Sequence, residues 1–234
     1  MVTRRLPAAA MDQALTRRST RLNLVAAVAF VLGGSLFALG AAFAQLGVTS
    51  LPTVNITYLV GGCFFSLGGY VSILLASNTD TDERMRWWSL RLRSRSWLSA
   101  FVLFVGTLFF AVSLVAAFAE GLTPRQSDGW IWLPDMTGCV CFLASGHLAM
   151  LDVGAGHVRL LPHLVGWWVV AVNQLGSVLF FLAGLAAFIR PATSSAINTG
   201  LVNWGTFAGA VCFAVGGAIK AFDTPITTRT VVQP

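Results

Sequence analysis

The chain alternates between long apolar stretches and short polar breaks. Apolar residues dominate Leu24 to Ala44, Val54 to Ala76, Trp97 to Ala119, Ile131 to Leu151, Leu164 to Ile189 and Leu201 to Lys220. Each stretch is about 20 residues or slightly more, the length a helix needs to cross a hydrocarbon layer roughly 30 Å thick. Backbone polar groups in lipid must be paired internally, and continuous runs without period-two alternation exclude a barrel of strands. The pattern predicts an all-α membrane protein with six transmembrane helices.

The polar breaks divide the chain into a basic N-terminal segment (1–23), a first hairpin (24–76), a Trp/Arg-rich loop (77–96), a second hairpin (97–152), a short loop (153–163), a third hairpin (164–222) and a tail (223–234). The tail has no periodicity and is expected to be disordered.

Hydrophobic residues make up 56% of the chain and charged residues 10%, with a mean hydropathy of +0.76, so no soluble catalytic domain fits outside the spans. The net charge of +6 would suit an acidic partner if it were clustered on a soluble face. Its placement points to topology instead, and nucleic acid is not expected as a partner. Of the 15 Lys and Arg, only Arg125 and Arg190 fall on one side of the predicted spans. The others (Arg4, Arg5, Arg17, Arg18, Arg21, Arg84, Arg86, Arg91, Arg93, Arg95, Arg159, Lys220 and Arg229) fall on the other side. Basic residues flanking spans stay in the cytoplasm, which predicts cytoplasmic N- and C-termini. The basic start, the apolar stretch and Ala42-Phe43-Ala44 imitate a secretory signal, but the first helix takes part in the repeat below and is read as retained.

Helices two, four and six carry one pattern without a gap: Gly61-Gly-Cys-Phe-Phe-Ser-Leu-Gly-Gly69, Gly138-Cys-Val-Cys-Phe-Leu-Ala-Ser-Gly146 and Gly209-Ala-Val-Cys-Phe-Ala-Val-Gly-Gly217. Helices one, three and five carry a looser counterpart, Gly34-Ser35-Leu-Phe37, Gly106-Thr107-Leu-Phe109 and Gly176-Ser177-Val-Leu-Phe180, each followed by Ala-Ala-Phe. The unit is a helical hairpin of roughly 70 residues occurring three times. Because each copy starts and ends on the same side, the repeats are parallel, and a pseudo-threefold bundle is expected.

Lipid gives helices no hydrophobic reason to associate, so small residues that allow close van der Waals approach must supply the attraction. Gly61, Gly62, Gly68, Gly69, Gly138, Gly146, Gly205, Gly209, Gly216 and Gly217 are the predicted packing positions, and Phe64, Phe65, Phe142 and Phe213 the knobs at the crossings. Cys63, Cys139, Cys141 and Cys212 all fall inside spans, where no disulfide framework is expected. Cys139 and Cys141 project about 200° apart on a helix and do not make a metal pair.

A polar group in hydrocarbon is a functional candidate, because leaving it unpaired is expensive. Asp135 and Asn55 lie toward helix ends, where capping or solvation accounts for them. Asn173, Gln174, His147 and Asn203 are deeper and form the candidate intramembrane polar site, either as interhelical hydrogen bonds or as the lining of a solute path. Nucleophile elbows, His-Glu-x-x-His and phosphate-binding loops are absent from the sequence, so no enzymatic activity, cofactor or metal is expected.

In the loop between the first two hairpins, Arg84, Arg86, Arg91, Arg93 and Arg95 are interleaved with Trp87, Trp88 and Trp97. This suits a short interfacial helix with Trp at headgroup depth and Arg on anionic lipid, or a docking surface for another protein.

Asn173-Gln174-Leu-Gly-Ser-Val-Leu-Phe180, Asn203-Trp-Gly-Thr-Phe-Ala-Gly-Ala-Val-Cys-Phe213, Trp132-Leu-Pro-Asp135 and Cys141-Phe-Leu-Ala-Ser145 resemble the YrhK-like hairpin proteins of bacterial membranes, in their longer actinobacterial form. The resemblance covers roughly residues 100 to 222. It implies a hairpin fold in a bacterial cytoplasmic membrane and brings no reaction or ligand. Two function classes follow. The first is a non-catalytic bundle associating with itself, lipid or a membrane complex, and the second is a channel or transporter for a small solute.

Overall fold

The computed structural model describes the backbone of residues 8–78 and 85–223, and side chains from residue 13 onward. The helices are α1 (Ala8–Leu46), α2 (Leu51–Asn78), α3 (Arg95–Ala116), a single turn α4 (Pro124–Ser127), α5 (Leu133–Val153), α6 (Val165–Ala187) and α7 (Thr199–Ala221). A π-helical stretch, Asp128–Trp132, joins α4 to α5 without a break, so Pro124–Val153 runs as one span. Six of these helical segments are long and apolar enough to cross a membrane.

Local chemistry sets the ends. Gly47 closes α1 at φ +62°, a conformation that glycine adopts without strain, and its N–H donates to the Phe43 carbonyl. Ser94 caps α3 by accepting from Trp97 N, and Asn198 caps α7 by accepting from Leu201 N. Thr123 and Gln126 form a reciprocal capping box, with Pro124 at the first helical position. Past Ala187 a two-residue antiparallel ladder, Ile189–Arg190 against Ser195–Ala196, turns the chain into α7.

Two segments differ from expectation. α1 continues through residues 8–23, read from sequence as a separate basic arm. Its residues there are mostly good helix formers without Gly or Pro after residue 7, and Asn23 is buried, donating to the Lys220 and Asp223 carbonyls at the end of α7. The expected interfacial helix is absent from residues 85–94, which are non-helical. The Asn78 side chain grips Arg86 from both directions, donating to its carbonyl and accepting from its N–H, each at 2.8 Å, while Tyr70 Oη donates to the Trp87 carbonyl. Those contacts divert the backbone groups that a helix would use. Arg84 and residues 224–234 lie outside the described residues.

The spans pack in chain order as a closed ring: α1 on α2, α2 on α3, α3 on α5, α5 on α6, α6 on α7, and α7 back on α1. Leu, Val, Phe and Trp side chains cover its outer surface. Both termini of the described chain lie at one end with Arg17, Arg18, Arg21, the 85–94 segment and Arg159, called here the basic end. The far end carries Arg125 and Arg190.

Within each hairpin one contact recurs. A methyl group placed on Gly33 would lie 3.0 Å from the Phe65 ring and 3.1 Å from the Gly61 carbonyl, and one on Gly61 would lie 2.7 Å from the Phe37 ring and 3.2 Å from the Gly33 carbonyl. Gly106 and Gly138 stand in the same relation to Phe142 and Phe110, and Gly176 and Gly209 to Phe213 and Phe180. All six spans therefore carry Gly-x-x-x-Phe, with each glycine admitting the partner helix's phenyl ring. This corrects the register read from sequence for the odd helices: Gly33 rather than Gly34, and Phe110 rather than Phe109, occupy the crossings. Gly34 packs on Ala210 and Ala214 of α7, and Phe109 faces outward.

Candidate functional site

The six phenylalanines meet on the bundle axis. Phe65, Phe142 and Phe213 form one layer, with ring centroids 5.4 to 6.2 Å apart. Phe37, Phe110 and Phe180 form the other, with Phe180 lying 6.2 and 6.4 Å from its two neighbours. The layers are joined by the pairs within each hairpin: Phe37–Phe65 at 5.3 Å, Phe110–Phe142 at 5.0 Å and Phe180–Phe213 at 5.3 Å. Tilted, edge-on and offset arrangements at these separations are favourable for aromatic pairs. A gap beside the rings, bordered by Gly62 and Thr107, measures about 10 Å³, at the lower limit for one water molecule.

On either side of this plug lies a cavity. The basic-end cavity, about 360 Å³, has Phe142 and Phe213 at its floor and is lined by Ser72, Ser96, Ser99, Ser145, Ser177 and Asn173, with Asp152, Lys220 and Asp223 toward the end of the bundle. The far-end cavity, about 260 Å³, has Phe37, Phe110 and Phe180 at its floor. Its wall includes Asn55, Tyr58, Trp132, Asp135 and Thr206.

The linings follow the glycine register. Tyr58, Asp135 and Thr206 each stand three residues before the clasp glycine of their helix, at Gly61, Gly138 and Gly209, and all three line the far-end cavity. Phe30, Leu103 and Asn173 stand three residues before Gly33, Gly106 and Gly176, and all line the basic-end cavity. Leu75, Asp152 and Asp223 stand fourteen residues after Gly61, Gly138 and Gly209, and line the same cavity.

The four predicted polar residues do not converge. Asn173 and Gln174 are adjacent but face different neighbours. A methyl group on Gly216 would collide with Asn173 Oδ1, and one on Gly146 with Gln174 Oε1. Each amide oxygen thus lies close against a glycine, and neither has a hydrogen-bond donor among the described residues. Gln174 Nε2 donates to the Leu143 carbonyl at a long 3.5 Å. Asn203 sits toward the far end of α7 and donates to Gln45 Oε1 of α1 at 3.2 Å. His147 is exposed on the outside of α5 and lines neither cavity. Helical phase explains the split, because residues one apart turn by about 100° and these four occupy three helices at different depths.

The packing glycines are placed as follows. Gly62 and Gly69 meet Leu114 and Phe104 of α3, Gly68 meets Phe30, Gly205 meets Ala183, and Gly217 meets Ala27 and Val31 of α1. In the second hairpin Ser99 and Ser145 exchange hydroxyl-to-carbonyl hydrogen bonds of 2.9 and 2.8 Å across α3 and α5. Of the expected interfacial set, Trp87 is 66% exposed, with Arg86, Trp88, Arg93 and Arg95 also exposed and Arg91 half-buried. Trp97 is a correction: it is fully buried and stacked on Phe101 at 4.9 Å, because it packs in a core cluster with Ile73 and Ala76 of α2.

Asp135, read from sequence as a helix-end residue, lines the far-end cavity. It does not cap a helix, because the helix starts at Pro124 and continues through the π segment to Asp135 and beyond. Two contacts hold that wall against the third hairpin: Trp132 Nε1 donates to the Gly184 carbonyl at 2.8 Å, and Ile189 N donates to Asp128 Oδ1 at 2.9 Å. A methyl group on Gly184 would lie 3.3 Å from Asp135 Oδ2 and against Met136 Sδ. Offsets counted from the clasp glycines would have grouped Tyr58, Asp135 and Thr206 from sequence. All four cysteines are free, Cys139 facing Gly184 and Cys141 facing Gly106. Among the described residues no three His, Cys, Asp or Glu side chains gather closely enough to hold a metal ion.

The molecule is a six-span helical ring with a closed aromatic centre and a cavity on each side of it. No protein-family model, curated protein or solved structure matches the chain, so its geometry stands on its own.

Proposed function

We propose that this protein is a non-catalytic, multi-pass bundle of a bacterial cytoplasmic membrane, built from three parallel hairpin repeats about a pseudo-threefold axis, and that it works through what it binds. The observation that carries this reading is the aromatic plug: two layers of three phenyl rings occupy the axis that a conducting path would need. The recurring Gly/Phe clasp and the matched offsets of cavity-lining residues support the repeat, and the hairpin motif residues support kinship with YrhK-like proteins. The basic end, carrying most of the Arg residues, is read as cytoplasmic, with exposed Trp87, Trp88 and their neighbouring arginines resting on anionic headgroups. Partners in the membrane are the lipid, a second copy or a larger complex.

A carrier is the second reading, favoured by one observation: the two cavities lie end to end across the plug. Reconstitution into sealed vesicles separates the two. The bundle reading expects no ion or solute flux above that of empty vesicles, while substitution Phe142→Ala opens a measurable leak. Saturable flux through the unaltered protein would overturn it. A C-terminal tag accessible from outside intact cells would overturn the orientation.

A further inference from the structure

The far-end cavity has a composition suited to one class of ligand. Its floor is three phenyl rings, Phe37, Phe110 and Phe180, and its wall adds the Tyr58 and Trp132 rings. Tyr58 packs on Phe37 with centroids 5.2 Å apart, and Phe180 lies 6.2 and 6.4 Å from Phe37 and Phe110, so these four rings form a connected surface. Of the three equivalent positions on the even spans, two hold neutral Tyr58 and Thr206 and one holds Asp135. Among the described residues the Asp135 carboxylate makes no hydrogen bond or ion pair, and no Lys, Arg or His lines the cavity. The nearest basic residues at this end, Arg125 and Arg190, lie outside it.

A carboxylate at the edge of an apolar space is stabilised by a positive charge brought to it, and aromatic faces attract a cation that has weak hydration. We propose that this cavity binds a small organic ammonium ion, its charge against Asp135 and its alkyl groups on the Phe37, Phe110, Phe180 and Tyr58 rings. A hard metal ion is a poor fit, because calcium or magnesium takes six or more oxygen ligands and this wall offers one carboxylate and a few neutral oxygens. A cavity of about 260 Å³ accommodates a quaternary ammonium with a short substituent. Gly184 belongs to the site as a positioning residue, since a side chain there would press on Asp135 Oδ2. The inference goes beyond the bundle reading and holds whether or not the plug ever opens.

The test uses the full chain in lipid nanodiscs and benzyltrimethylammonium as the probe, with benzenesulfonate as the anionic control. Calorimetry should show saturable binding of the cation and none of the sulfonate, and Asp135→Asn should weaken binding at least about tenfold. Asp152→Asn, in the opposite cavity, should leave it unchanged. Should Asp135→Asn fold poorly, the unaltered protein decides: dicyclohexylcarbodiimide modification of Asp135, read by peptide mass spectrometry, should fall when the probe saturates the site. Absence of cation binding, equal binding by Asp135→Asn, or modification that the probe does not slow would each overturn the proposal. Protection by lipid or detergent chains but not by the cation would show an apolar occupant and would overturn it as well.

Discussion

The two cavities are built from the same register positions and have opposite chemistry. At the far end, three residues before the clasp glycines, the chain places Tyr58, Asp135 and Thr206 around an aromatic floor, and the carboxylate has no hydrogen-bond or ion-pair partner among the described residues. At the basic end, the corresponding position of the odd helices holds Phe30, Leu103 and Asn173, and the hydroxyls of Ser72, Ser99, Ser145 and Ser177 are all bonded within the protein. Ser99 and Ser145 satisfy each other, and Ser72 and Ser177 return their hydroxyls to carbonyls one turn back, while the Asn173 oxygen lies against Gly216 with no hydrogen-bond donor among the described residues. Polar residues in a membrane span therefore divide into two kinds. Those whose groups are spent on neighbouring helices hold the bundle together, and those left facing space are available to something else.

That comparison can be broken at several points, the strongest at the clasp. Gly209→Leu would drive a side chain into the Phe180 ring and the Gly176 carbonyl, which already leave a methyl group only 2.7 and 2.9 Å of room. We expect a loss of about 2–3 kcal/mol or failure to assemble, measured by thermal unfolding in detergent. An unchanged melting temperature would remove the clasp from the account.

Gly216→Ala tests whether the Asn173 amide is structural. The new methyl would displace Asn173 Oδ1 and should cost about 1–2 kcal/mol, with much of the loss recovered in the double variant Gly216→Ala/Asn173→Ala. Additive losses in this cycle would mean that the two positions do not act as a pair.

A smaller effect is expected at the serine exchange. Ser145→Ala removes one of two reciprocal hydrogen bonds and should cost about 0.6 kcal/mol, in keeping with interhelical hydrogen bonds in membranes. Asp152→Asn should change stability less again, because Asp152 lies toward the open end of the basic-end cavity and is half-exposed. A large loss from either would move that part of the basic end from packing to a more demanding role.

Much of this fold was legible in the chain. Length and apolarity of the runs gave six spans, and the ungapped Gly-Phe pattern of the even helices marked where they cross. The odd helices were harder, because Gly33-Gly34 and Phe109-Phe110 each offer two adjacent candidates and only packing selects one. The four candidate polar residues do not share one place for a related reason. Depth along a span made Asn173, Gln174, His147 and Asn203 conspicuous, yet depth says nothing about helical phase, and His147 turns outward. Asp135 looked like an end residue because the helix was expected to begin near Ile131, whereas Thr123 and Pro124 start it a full two turns earlier. The buried Trp97 was hidden from sequence because it packs against Ile73 and Ala76 of α2, a tertiary contact with no local signature.

Six phenylalanines stand between the two cavities and divide the bundle into two compartments. The most direct measurement is side-specific labelling of single cysteines in a cysteine-free background, at Thr206 for the far-end cavity and Ser72 for the basic-end cavity, with a small membrane-impermeant thiol reagent. The account predicts that each cysteine reacts from one face of the membrane, that the two faces differ, and that Phe142→Ala makes both reactive from either face. Labelling of either cysteine from both faces in the otherwise unaltered bundle would contradict it.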